Sequence, residues 1–186
     1  MWNNEVKLDT LTASFVDGVL KFKTPSEEAQ VYLKNNDIER VVFICNGKTS
    51  TIQSNEKHSI VVGEGNFERD VEHYLKPNGC APTMRLGITK HRGKGTWSSL
   101  PHHFELSTES GFEEVFFYLL DGNPMSAIQV GRGVWFDNTP VDTVWKVKNQ
   151  SFSTVPMGYH PVVGEPGVNV SYIWVYLAKK KSWEKI

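Results

Sequence analysis

The chain has 186 residues, 39% hydrophobic and 22% charged, which fits one soluble globular domain or a domain with a small appendage. Its 20 Lys plus Arg stand against 21 Asp plus Glu for a formal net charge of -1, so no long-range field favours nucleic acid or an anionic membrane. A small molecule is the expected partner, with no nucleic acid and no membrane.

The first residues, Met1-Trp2-Asn3-Asn4-Glu5, lack a basic region followed by an apolar core, and no later apolar run is long enough to span a bilayer. A cytoplasmic location is therefore expected. Thr24-Pro25 leads into Ser26-Glu27-Glu28-Ala29, a capping-box pattern that predicts one short helix. The rest of the chain reads as strands. Val41 to Cys45, Ser59 to Val62, Glu114 to Leu120, Ala127 to Phe136 and Val170 to Leu177 are rich in β-branched and aromatic residues and are set apart by Gly, Asn, Asp and Pro. That pattern predicts an all-β sandwich or barrel, and long amphipathic segments of the kind an α/β fold needs are missing.

Polar residues from Gln53 to Lys57 mark a boundary. Residues 1–58 are too few to bury a core comfortably, so they are expected to supply strands packed onto a barrel built from residues 59–186. Cys45 sits in an apolar run and Cys80 in a Gly-Cys-Ala-Pro turn; without CxxC spacing they read as reduced thiols. The run Lys179-Lys180-Lys181 reads as a solvated edge. Exposed strand edges would favour a homodimer.

The chemistry concentrates after Gly95. Residues two apart on a strand share a face, so His103 and Glu105 can point into a barrel together while His102 and Phe104 point away. Glu114 opens the next strand, with Phe116 and Tyr118 on its face, and His160 sits in a turn shaped by Pro156, Gly158 and Pro161. Two imidazoles and two carboxylates would make a nearly charge-balanced site for one divalent cation. Each residue alone has a plainer reading: His102 at a rim, Glu113 a solvated edge charge, His160 a hydrogen-bonded turn residue, Glu105 paired with Lys90 or Arg92.

Four segments, taken in order, point to a family. They are Gly63 to Val71, Gly95-Thr96-Trp97-Ser98-Ser99-Leu100-Pro101, Glu113 to Tyr118, and Gly158-Tyr159-His160-Pro161-Val162 through Pro166-Gly167 to Tyr172-Ile173-Trp174. Together they resemble the 5-deoxy-glucuronate isomerases, enzymes of myo-inositol breakdown related to the 5-keto-4-deoxyuronate isomerases. The likeness runs from about Ser59 to the C-terminus.

The resemblance implies a cupin-type antiparallel β-barrel, a double-stranded β-helix, with residues 1–58 as the closing strands of a first cupin. It implies a metal held by two histidines in an HxH pattern, a glutamate and the histidine of the Gly-Tyr-His-Pro turn. Those roles fall on His103, Glu114 and His160. Glu105 stands where the family has the second histidine, and His102 where it tends to have proline. A carboxylate there would shift the metal from zinc toward manganese or iron, so Zn, Mn and Fe all remain open.

The implied reaction is aldose to ketose interconversion of a sugar acid, a deoxy-uronate such as 5-deoxy-glucuronate. Glu105 would be the base if it is not a ligand, and Gln129 would hydrogen-bond the substrate unless it lies at a sheet edge. Arg69 could clasp the sugar carboxylate with its planar fork, or else pair with Glu68 or Asp70 at the surface. His102, Tyr118 and Tyr172 complete the candidate substrate contacts, Tyr172 and Trp174 sharing one strand face. A non-catalytic cupin that binds a sugar or sugar acid, and a metal-dependent oxygenase, are the other readings open on this fold.

Overall fold

The computed structural model describes residues 4–98 and 112–178. From the N-terminus, β1 (Glu5–Lys7), β2 (Thr12–Val16), β3 (Val19–Lys23), β4 (Glu27–Lys34), β5 (Asp37–Cys45) and β6 (Lys48–Gln53) form one antiparallel sheet in sequence order. Asp17-Gly18, Asn35-Asn36 and Asn46-Gly47 turn the chain between strands with positive φ at both residues. Asn, Asp and Gly tolerate that conformation, and the resulting turns match the twist of the strands they join.

The helix expected at Ser26 to Ala29 is not formed; Glu27 begins β4 instead. Thr24 Oγ1 does accept the N–H groups of Ser26 and Glu27, at 3.3 and 3.0 Å, as a helix cap would. The chain then extends, because Glu27, Ala29 and Val31 are buried at every second position and a period of two is that of a strand. The only helical element among the described residues is a 3-10 turn at Gly65–Phe67.

The remaining strands are β7 (His58–Val62), β8 (Arg69–Leu75), β9 (Met84–His91), β10 (Trp97–Ser98), β11 (Glu114–Asp121), β12 (Ser126–Val134), β13 (Pro140–Lys148), β14 (Ser151–Thr154), β15 (Met157–Tyr159), β16 (Val162–Gly164) and β17 (Asn169–Leu177). A second sheet runs β14-β11-β17-β9-β8-β7, and a third runs β10-β16-β12-β13 with β15 also on β12. The second and third sheets face each other as two antiparallel layers, the cupin-type arrangement expected. Among the described residues no backbone ladder closes one onto the other, and the two sheets meet through side-chain packing.

Alternation along the second sheet builds two cores. Val115, Phe117 and Leu119 of β11, Ile173 and Val175 of β17, and Leu86 and Ile88 of β9 point outward onto Leu20, Phe22, Ala29, Val31, Val41 and Phe43 of the first sheet. Phe116, Tyr118 and Leu120 of β11, with Val170, Tyr172 and Trp174 of β17, point inward to Ala127, Val147 and Val162 of the third. Each fully buried Val, Leu or Phe contributes roughly 1.5–3 kcal/mol.

Two buried carboxylates fasten the first sheet to the second. Glu27 accepts the Thr83 N–H at 2.8 Å, the Thr83 hydroxyl at 2.6 Å and the Met84 N–H at 2.9 Å. Glu113 accepts the Thr10 N–H at 3.0 Å and the Leu11 N–H at 2.6 Å. The expectation of Glu113 as a solvated edge charge is thus corrected: it is 4% exposed, because the turn between β1 and β2 lays the Thr10 and Leu11 amides over it.

Candidate functional site

Glu114 leads β11 on its inward face, and His160 follows β15; they are 4% and 0% exposed. His160 Nδ1 donates to the Gly158 carbonyl at 2.9 Å. A carbonyl can only accept, so in the neutral ring the proton sits on Nδ1 and the lone pair on Nε2, the arrangement of a metal-binding imidazole. Nε2 lies 3.9 Å from Glu114 Oε2. With donor bonds of about 2.0–2.1 Å, a tetrahedral ion would hold the two atoms about 3.3 Å apart, so a small inward shift of the two side chains lets them share one ion.

The turn that carries His160 is held from β12. Gln129 Nε2 donates to the His160 carbonyl at 2.5 Å and the Pro161 carbonyl at 3.1 Å, and its Oε1 accepts the Tyr118 hydroxyl at 2.8 Å. Burial raises the Tyr118 phenol well above its ordinary range, so it stays a donor. At Gly158 a Cβ would fall 2.5 Å from the Arg132 carbonyl oxygen, so only glycine lets β15 and β12 approach this closely. Phe116 meets the His160 ring edge-on at 5.9 Å between centroids.

A second polar group lies further along the same interior. Arg69 and His91 are register partners on β8 and β9, 3% and 4% exposed. His91 Nε2 is 2.6 Å from Ser98 Oγ, which is 3.2 Å from the Tyr172 hydroxyl. Tyr172 stacks on Phe116 at 4.4 Å and stands edge-on to His91 at 6.0 Å. Burial first, and the positive Arg69 second, hold the His91 imidazole down to about 4. Burial also lowers the Arg69 guanidinium from its ordinary value.

Of the residues singled out from sequence, Glu114 and His160 come together, and Arg69, Tyr118 and Tyr172 line the same interior. Tyr172 and Trp174 share a face as expected. Gln129 is fully buried rather than at an edge, and its bonds go to the backbone and to Tyr118, which makes it a positioning group. Arg69 does not pair with Glu68 or Asp70; Arg92 takes both, at 3.2 and 2.7 Å. Lys90 is bound by Asp37 and Glu72. His102, His103 and Glu105 lie outside the described residues, among which no three ligand-type side chains gather. His91 and Ser98 were not picked out from sequence. The two-residue spacing of Gly87, Thr89 and His91 on β9 was the available signal.

A model of the KduI/IolB family matches residues 22–186. The curated 5-deoxy-glucuronate isomerase of Geobacillus thermodenitrificans is 30% identical over 168 residues, covering 86% of this chain and 60% of that relative. That of Geobacillus kaustophilus is 31% identical over 156 residues, covering 80% and 55%. The chain therefore spans 55–60% of the length of these two relatives. The crystal structure of an IolB-like protein from Salmonella typhimurium LT2 matches 97% of this chain and 76% of its own, with a TM-score of 0.57 and 17% identity.

Proposed function

The chain belongs to the KduI/IolB family, and from that premise we propose that it is a metal-dependent sugar-acid isomerase, converting a deoxy-uronate such as 5-deoxy-glucuronate between aldose and ketose forms. The observation that carries this reading is the buried Glu114–His160 pair, whose Nε2 and Oε2 lie 3.9 Å apart at the interior of the cupin sheets. His160 and Glu114 would hold the ion with His103, and Glu105 would be a fourth ligand or the base. Residues 1–58 are read as strands of a first cupin that pack on the second.

When bound, a divalent ion polarises the substrate carbonyl and stabilises the oxyanion that develops there. The chain's own part is proton transfer and orientation. A carboxylate takes the proton from the carbon next to the carbonyl, and the resulting enediol is reprotonated at the old carbonyl carbon, so that aldose becomes ketose with no net gain or loss of atoms. The apolar walls formed by Phe116 and Val162 exclude water from that intermediate.

Following 5-deoxy-glucuronate by NMR with metal-loaded protein should show conversion to the ketose, lost on chelation and restored by divalent metal. A protein that binds the sugar acid without converting it is a binding cupin instead. Gln129 offers a finer check. Gln129→Leu keeps the volume but releases the His160 carbonyl and strands the Tyr118 hydroxyl. Metal affinity measured by chelator competition should fall about 10–100-fold, the usual cost of losing an outer-shell support.

A further inference from the structure

We propose that Arg69 and His91 form a carboxylate-binding subsite, separated from the Glu114–His160 pair by the stacked rings of Phe116 and Tyr172. A sugar acid would be anchored there by its carboxylate, with its carbon chain lying along the Tyr172 and Phe116 rings in the direction of the pair. The identity of the ligand as a sugar acid rests on the isomerase reading; the anion subsite rests on the geometry below.

Arg69 is a guanidinium only 3% exposed. Its one hydrogen bond among the described residues runs from Nη1 to the Phe67 carbonyl at 2.7 Å, and no carboxylate pairs with it. The acids next to it in sequence face the other way and belong to Arg92. Glu72, the remaining acid of β8, is taken by Lys57 and Lys90 at 2.8 and 3.1 Å. A buried charge without a counter-charge is destabilising, and a ligand carboxylate is the group that would offset it.

The neighbour across the ladder is suited to the same ligand. His91 Nδ1 is buried and has no hydrogen-bond partner among the described residues, while Nε2 is occupied by Ser98. The Ser98 hydroxyl can donate to Nε2 while accepting from the Tyr172 hydroxyl; in that tautomer Nδ1 carries the proton and offers a donor beside the guanidinium fork. One positive charge and one neutral donor match a monoanionic carboxylate better than a dianionic phosphate.

The test uses the full chain and three probes: D-glucuronate, neutral D-glucose and D-glucose 6-phosphate, with affinities from calorimetry. Glucuronate should bind more tightly than the other two. Arg69→Gln should weaken glucuronate about 10–100-fold and leave glucose unchanged, whereas Arg69→Lys should keep part of the preference as a point charge without the fork. The melting temperature of Arg69→Gln should match or exceed that of wild type, because an uncompensated charge is removed; a purely structural arginine would lower it. Should Arg69→Gln fail to fold, Arg69→Lys and His91→Gln carry the comparison. Equal glucuronate affinity in wild type and the folded variants, or tighter binding of the phosphate, overturns the subsite. Glucuronate bound through Arg69 by a protein that turns over no deoxy-uronate keeps the subsite and removes the isomerase reading.

Discussion

Glu114→Gln is expected to lower kcat/KM for 5-deoxy-glucuronate by a factor on the order of 10³ while leaving the protein folded. Gln has the shape of Glu, so the packing of β11 against β17 and the third sheet is kept. What disappears is a negative charge that is 4% exposed and 3.9 Å from His160 Nε2. A neutral amide oxygen is a poor donor to a divalent ion, and the site loses half of the carboxylate charge assigned to it when Glu105 is counted. Metal content by mass spectrometry should fall together with turnover by NMR, with an unchanged circular dichroism spectrum. Full metal occupancy and full activity in Glu114→Gln would remove Glu114 from the site.

A second large effect should appear in the dependence of stability on pH. An imidazole ordinarily titrates near 6.5, and burial beside Arg69 brings His91 to about 4. Between those values the unfolded chain binds a proton that the folded protein refuses, so stability is complete above the ordinary value and falls as pH drops toward 4. At about 1.4 kcal/mol per pKa unit, the loss is on the order of 3 kcal/mol. His73 is also lowered by burial and slopes the same way, so wild type is best compared with His91→Gln, which keeps His73. Urea unfolding at about pH 7 and about pH 4.5 should give a much shallower decline in the variant. Parallel declines in both proteins would mean that His91 is not held neutral by the fold.

The strands were legible because their residues repeat with the period of the structure. In Glu114, Phe116 and Tyr118 the alternation that marks a strand also states which face the carboxylate shares, and the structure places all three inward. The Gly-Tyr-His-Pro turn was legible for a different reason: its backbone restrictions are local. Ser26 to Ala29 misled because the bonds from Ser26 and Glu27 to Thr24 Oγ1 serve a helix start and a strand entry equally well. What decides between them is Thr83 and Met84, more than fifty residues away, which hold the Glu27 carboxylate. His91 was obscured in the same way. Lys90-His91-Arg92 reads as a basic surface run, and only pairing with β8 and β17 shows that His91 is buried while its neighbours take the acids of other strands.

The straps from Glu27 and Glu113 bear on how the molecule opens. The Glu27 strap uses amides at the start of β9, and the Glu113 strap reaches from the start of β11 to amides just ahead of β2, so each sheet supplies one acid and one set of donors. Peeling the first sheet away would leave carboxylates stranded on both surfaces and bare the outward row of Val115, Phe117 and Leu119. The six N-terminal strands are therefore not a removable cover. Fluctuations that loosen them must loosen the outer half of the barrel as well, and the amides of Thr10, Leu11, Thr83 and Met84 should exchange with solvent as a single cooperative unit.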